Sequence, residues 1–212
     1  NEGNKNFINK IFVQGNSRTS DSIIRRELTF LEGDSFNNAK IKESINALNR
    51  LGFFQSVKYN VRKTEITNAV DIIINVEETN TGSISFGIGY SSLDGTGFNF
   101  GLNEKNFLGE GRRARFELST SAKKTTYNVG MTEPYFMDRP ISLSSDIYNQ
   151  ETENSAGDVK SDRSGISFGL GVKEDLKFHS LSYNLSESQT TTSATSSALS
   201  STGEEGVNIV TS

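Results

Sequence analysis

Gly82-Ser83-Ile84-Ser85-Phe86-Gly87-Ile88-Gly89-Tyr90 places a large apolar group at every second position. Ile84, Phe86, Ile88 and Tyr90 fall on one face of an extended chain, and Ser83, Ser85, Gly87 and Gly89 on the other, because successive strand side chains point to opposite sides. The rhythm returns at Phe98, Phe100 and Leu102, at Ala114, Phe116 and Leu118, at Tyr127, Val129 and Met131, and at Ile166, Phe168, Leu170 and Val172. Short segments with one apolar and one small or polar face, repeated in this way, are how the wall of a transmembrane β-barrel reads. The rhythm predicts seven antiparallel strands near 82–92, 96–105, 112–123, 125–134, 140–150, 163–174 and 178–188. Such lengths suit the ~9–11 residues of a strand that crosses a bilayer.

The 212-residue chain is 33% hydrophobic with a mean hydropathy of -0.49. These values are compatible with a barrel wall, in which only alternate residues meet lipid. No run of ~18 apolar residues is present for a spanning helix, and the opening Asn1, Glu2, Asn4 and Lys5 do not resemble a signal peptide. With no cysteine and His179 as the one histidine, disulfides, cysteine redox chemistry, a Ser/His/Asp triad and a multi-histidine zinc site are all excluded within the chain. Residues 1–80 carry 11 basic and 10 acidic groups, and residues 81–212 carry 11 and 16. Neither half has the basic excess of a nucleic-acid binder.

Before residue 80 the apolar spacing is mixed, which divides the chain into a module over 1–80 and a strand-rich region over 81–188. Phe7 to Gln14 reads as a strand followed by the turn signal Gly15-Asn16. Ser20 or Asp21 suits a helix start before Ile23, Ile24, Glu27 and Leu28. A second helix follows from the spacing of Ile41, Ile45, Leu48 and Leu51, with Gly52 fitted to a left-handed cap. Two more strands, about Ser56 to Arg62 and Val70 to Glu77, complete an α+β unit of order β-α-α-β-β. The Ser/Thr-rich stretch over 189–212 has few apolar residues to offset the entropy of ordering, and reads as an extracellular loop.

Chemical motifs are sparse. The pairs Gly87/Gly89, Gly109/Gly111 and Gly169/Gly171 lack the helix opening and the Lys-Ser/Thr of a phosphate loop, and fit the inward face of a barrel better. Glu104, Glu117, Glu133, Asp146 and Asp175 are spread over separate strand ends with no evident partner for acid/base work. Arg112-Arg113, beside Gly111, reads as a solvated turn or a contact to lipid headgroups. Nothing calls for a cofactor or an enzymatic role.

Several motifs together resemble a known family. Gly15-Asn16 through Ile24-Arg25-Arg26-Glu27-Leu28 to Glu32-Gly33, followed by Asn49-Arg50-Leu51-Gly52-Phe53-Phe54, resembles a POTRA domain. Asn80-Thr81-Gly82-Ser83 leading into Phe86-Gly87-Ile88-Gly89-Tyr90 resembles the passage from the last POTRA domain into barrel strand 1 of BamA-type outer-membrane assembly factors. Asn106-Phe107-Leu108-Gly109-Glu110-Gly111 and Glu133-Pro134-Tyr135-Phe136 resemble the first two periplasmic turns of that family. The resemblance implies a POTRA domain in the periplasm and a sixteen-stranded barrel in the bacterial outer membrane, of which this chain holds less than half, as a fragment. Its implied clients are unfolded outer-membrane β-barrel proteins, templated on the edge of Ser83, Ile84, Ser85, Phe86, Gly87, Ile88, Gly89 and Tyr90. Arg25 and Glu32 match positions implied to dock an accessory assembly lipoprotein, and outer-membrane lipids are the implied surroundings. Two alternatives are a polypeptide-secreting pore of the two-partner type, and a periplasmic scaffold whose C-terminal segments form a soluble sandwich.

Overall fold

The computed structural model describes residues 6–153, 159–174, 177–192 and 200–211. The chain divides into two compact units, one of residues 1–81 with the turn Leu108–Gly111, the other of Gly82–Phe107 and Arg112–Ser212.

In the first unit the element order is β1 (Phe7–Gln14), α1 (Asp21–Arg25), α2 (Asn38–Leu51), β2 (Phe54–Lys63) and β3 (Ala69–Glu78), the expected β-α-α-β-β. The sheet order is β1-β3-β2, with β1 parallel and β2 antiparallel to β3. The central strand is therefore the one written Val70-Asp71-Ile72-Ile73-Ile74-Asn75-Val76. Ile72 and Ile74 are completely enclosed together with Ile24 and Leu48, each such burial contributing about 1.5–3 kcal/mol before the entropy of ordering is set against it. The helix α2 begins where the Asn37 side chain accepts from the Ala39 and Lys40 amides, and ends at Gly52 in the left-handed conformation, as its spacing predicts. At α1 the helix starts after Ser20, yet the serine side chain makes no capping bond. Its hydroxyl meets that of Ser22 instead.

Gly15 is required by contact as well as by conformation: its φ is +93°, and a Cβ there would overlap the Val76 carbonyl oxygen. At the end of β3, Glu78 gathers the loop after β1 by accepting from the Thr19 amide at 2.7 Å, the Ser17 hydroxyl at 2.8 Å and the Arg18 amide at 3.0 Å. Burial pushes this carboxyl up, but the hydrogen bonds from Thr19, Ser17 and Arg18 outweigh it and hold the pKa at about 2.

The second unit is one antiparallel sheet of eight strands. In chain order they are β4 (Gly82–Ser91), β5 (Gly95–Phe107), β6 (Arg112–Ser121), β7 (Lys124–Glu133), β8 (Ile141–Glu153), β9 (Val159–Glu174), β10 (Lys177–Thr192) and β11 (Ser200–Thr211). Each pairs with its sequence neighbour, so the order runs from β4 at one end to β11 at the other. Seven match the strands predicted by alternation. The eighth corrects the reading of 189–212 as a loop: β10 continues to Thr192, and β11 pairs with it from Thr190↔Ser200 to His179↔Thr211. A backbone ladder supplies what the polar side chains lack, and β-branched Thr and Val suit an extended chain. Residues 193–199 lie outside the described residues.

The register aligns the apolar positions across the sheet. Ile84, Leu102, Phe116, Val129, Ile147, Ile166 and Leu185 are successive cross-strand partners from β4 to β10. The opposite face is polar and built around its glycines. Ser85 lies over Gly101, Tyr148 over Gly165 and Ser144 over Gly169, so that each larger side chain rests where a neighbouring strand has none. Arg115 on β6 reaches Asp146 on β8 at 2.6 Å across Gly130 of β7, where a Cβ would collide with both. Of the three Gly-x-Gly pairs, Gly169 takes part in this packing, whereas Gly109 and Gly111 lie not on a barrel face but in the turn after β5, each with a positive φ.

Candidate functional site

Among the described residues, β4 is bonded on one side only. Its partner is β5, in register from Gly82↔Glu104 to Ser91↔Gly95, and it ends the sheet on the other side. Alternate residues of an antiparallel strand direct both backbone groups to one side, so β4 offers an unfilled row of donors and acceptors along that edge. The client-pairing residues singled out from sequence all lie on this strand. Ile84, Phe86, Ile88 and Tyr90 form its exposed apolar face, while Ser83, Ser85, Gly87 and Gly89 form the thin one. A Cβ at Gly89 would meet nothing, and at Gly87 only the Asn99 side chain. One face of β4 is therefore thin, and its large side chains all stand on the other.

The structure brings Arg25 and Glu32 together, on the first unit and around a single residue. Glu32 Oε1 accepts the Ile11 amide at 3.0 Å, and Arg25 Nη2 donates to the Ile11 carbonyl at 2.8 Å. The two charges stand 3.7 Å apart with both side chains about half exposed. Arg25 also pairs with Asp21 one turn back. No local pattern signals the Ile11 contact, which depends on an irregularity of β1 between Ile8 and Ile11.

Three of the carboxylates read from sequence as lacking partners are in fact paired with cations or backbone. Asp146 holds Arg115, Glu133 holds Arg112 at 2.7 Å and accepts the Tyr135 amide, and Glu104 accepts the Asn106 amide. Arg112 is thus tied within its sheet rather than left to solvent. Asp175 lies outside the described residues. An acidic group that sequence reasoning missed is Asp71, buried on β3. The Arg62 guanidinium at 2.9 Å and the Asn9 amide at 2.8 Å hold its carboxyl below the usual range. It ties β1, β3 and β2 together, a structural role that accounts for its burial. Among the described residues, no cluster of three or more His, Cys, Asp or Glu is placed to hold a metal, and no helix is long and apolar enough to cross a membrane.

Residues 7–79 match the POTRA model, described as the surface antigen variable number repeat, and residues 106–205 match the Omp85 superfamily domain. The chain is 31% identical over 176 residues to outer membrane protein assembly factor BamA of Nitratidesulfovibrio vulgaris, covering 80% of this chain and 22% of that protein. It is 31% identical over 151 residues to BamA of Neisseria meningitidis, covering 70% and 19%. It thus spans about a fifth of the length of these relatives. Among solved structures, BamA from Haemophilus ducreyi lacking POTRA domains 1-3 superposes with a TM-score of 0.81 at 27% identity, over 99% of this chain and 44% of that one. CdiB from Acinetobacter baumannii gives 0.58 at 16% identity, over 97% and 42%, a likeness of fold alone. A POTRA module of two helices on a three-stranded sheet, an open antiparallel sheet whose register matches a barrel wall, and these relatives lead to one assignment: the chain belongs to the Omp85 superfamily, as a POTRA domain and barrel strands of the BamA type.

Proposed function

We propose that the protein is a non-enzymatic assembly factor that receives unfolded outer-membrane proteins and templates their strands on β4, the first strand of the sheet. The POTRA domain is periplasmic and the barrel strands belong to the bacterial outer membrane. A client in lipid has backbone groups that the hydrocarbon cannot satisfy, at several kcal/mol each. A strand edge already at membrane depth lowers that barrier, because each client strand can bond to it before the client closes on itself. The observation that carries this reading is the place of β4 as the first strand of the sheet, joined directly to the POTRA domain in sequence, with its thin Ser/Gly face. Pairing through backbone makes the client's own sequence almost immaterial.

The other sheet supplies a comparable feature. Its edge strand β2 (Phe54–Lys63) has no side chain bonded to its backbone among the described residues, and is suited to hold an extended client segment before insertion. Glu32 adds a docking point: Oε1 is committed to Ile11, while Oε2 has no hydrogen bond among the described residues and the side chain is half exposed. A cationic side chain of an accessory lipoprotein fits there.

The test uses the protein with its complete barrel in lipid vesicles, timing the folding of an added unfolded outer-membrane protein. Ile88→Pro removes a backbone donor from β4 and is expected to abolish the acceleration while the POTRA domain stays folded. Undiminished acceleration by that variant overturns the template role. Normal client folding combined with passage of a polypeptide through the pore would favour the secretion reading instead.

A further inference from the structure

A three-stranded sheet has two edges, and the two edges of the POTRA sheet differ. On β2 the outward backbone is bare of side-chain bonds. On β1 it is occupied from Asn6 to Ile11. Ile8 donates to the Asp34 carbonyl at 2.9 Å and accepts from the Gly33 amide at 2.7 Å, and the Phe36 amide donates to the Asn6 carbonyl at 2.8 Å, forming a short antiparallel bridge at Phe7↔Ser35. Beyond the irregularity in β1 that bridge ends, and the next outward residue is Ile11. Both of its backbone groups are filled, the amide by Glu32 Oε1 and the carbonyl by Arg25 Nη2. A carboxylate accepting and a guanidinium donating, side by side, reproduce what one residue of a neighbouring strand would provide.

We propose that Arg25 and Glu32 form an edge plug, a side-chain imitation of a strand residue that blocks the middle of β1 to extended polypeptide and leaves β2 as the open edge of this sheet. The proposal extends the reading of β2 as a client edge, and explains why a domain that handles unfolded chains gains from the plug. With both edges open, one POTRA sheet could bind a client twice or pair with a second copy of itself, the hazard of any exposed strand edge. The pair resists displacement because the two charges also attract one another at 3.7 Å, and hydrogen bonds to charged groups are stronger than neutral ones. The roles of Glu32 separate by atom: the plug needs an acceptor at Oε1, whereas lipoprotein docking needs the negative charge.

The absence of cysteine from the chain permits a direct test in the folded protein. Lys10→Cys on β1 and Lys58→Cys on β2, both exposed positions, each create one thiol. The probe is a synthetic peptide copying Phe54–Lys63 with a thiol-exchanging disulfide at its end. With the native pair present, capture by the β1 thiol stays at the background of an unstructured thiol. In Arg25→Ala/Glu32→Ala it rises about tenfold, the scale set by losing one or two hydrogen bonds to charged groups. Hydrogen exchange at the Ile11 amide accelerates with it, while Ile72 and Ile74 stay protected. Glu32→Gln, which keeps an oxygen acceptor, holds capture at the native level. If the double variant loses protection at Ile72, Glu32→Ala alone takes its place. Capture by the β1 thiol that is already high with the native pair, or that does not rise when the plug is removed, overturns the proposal. Capture by the β2 thiol reports separately on the β2 reading: its absence refutes that reading, and a rise at the β1 thiol still supports the plug.

Discussion

Ile72 and Ile147 are the same side chain on interior strands of two sheets of one polypeptide, yet the first is fully enclosed and the second is 58% exposed. The difference is general. Every buried hydrophobic side chain among the described residues lies between Ile8 and Val76, while the strands from β4 onward hold long exposed apolar rows. The POTRA domain satisfies its apolar residues internally, with helices laid over a sheet. The barrel strands satisfy theirs with lipid, and their polar face, not their apolar one, carries the fitted contacts. Alternation alone does not distinguish a soluble strand from a membrane strand. What distinguishes them is which face is fitted in shape and which is merely greasy.

That contrast can be broken in four places. The largest effect is expected at Ile72→Ala, which leaves a cavity in a closed core and should cost about 2–5 kcal/mol in denaturant unfolding of the POTRA domain; Ile147→Ala, with lipid free to fill the space, should cost far less. Next comes Ile147→Lys, which should lower stability in vesicles by about 2–4 kcal/mol if the residue meets the bilayer midplane. The same substitution in detergent should be milder. Third, Gly130→Val thrusts bulk between Arg115 and Asp146 and is expected to cost about 1–3 kcal/mol, read as a lowered unfolding temperature. Its neighbour on the apolar row, Val129→Ile, should leave that temperature unchanged.

The smallest effect concerns Glu78. Its folded pKa of about 2 lies below its ordinary value of 4.5, so the carboxylate's contribution is fully present above the unfolded value and is lost as pH falls from about 4.5 toward 2. Glu78→Gln should cost about 1 kcal/mol at neutral pH and flatten that acid-side loss in a pH series of POTRA unfolding. The barrel strands have no part in it.

Much of the fold is legible in sequence, because its determinants are local. The spacing of Ile41, Ile45, Leu48 and Leu51 with Gly52 marks α2, and Ile84 to Tyr90 marks β4, without reference to anything distant. The edge position of β4 follows from a chain that meanders strand by strand. What escapes a reading of the sequence has partners far along the chain or a signal diluted by polar residues. Glu32 and Arg25 find Ile11 only because β1 is irregular there. Asp146 finds Arg115 only because β7 has glycine at 130. The last strand is hidden because Val207 and Ile209 stand among Ser, Thr, Gly and Glu, so composition argues for disorder while the ladder with β10 argues otherwise. The proposed docking at Glu32 and the proposed templating on β4 draw on family resemblance, to which geometry adds, among the described residues, a Glu32 oxygen without a hydrogen bond and a thin Ser/Gly face on β4.

The row from Ile84 to Leu185 has one further consequence. Because every strand in it keeps its apolar residues on the same phase, a strand joining β4 must arrive in phase as well. Sliding by two residues preserves the match; sliding by one turns the whole segment inside out. The alternation of β4 therefore enforces parity on any strand paired to it, rejecting half of all possible alignments without recognising a single residue.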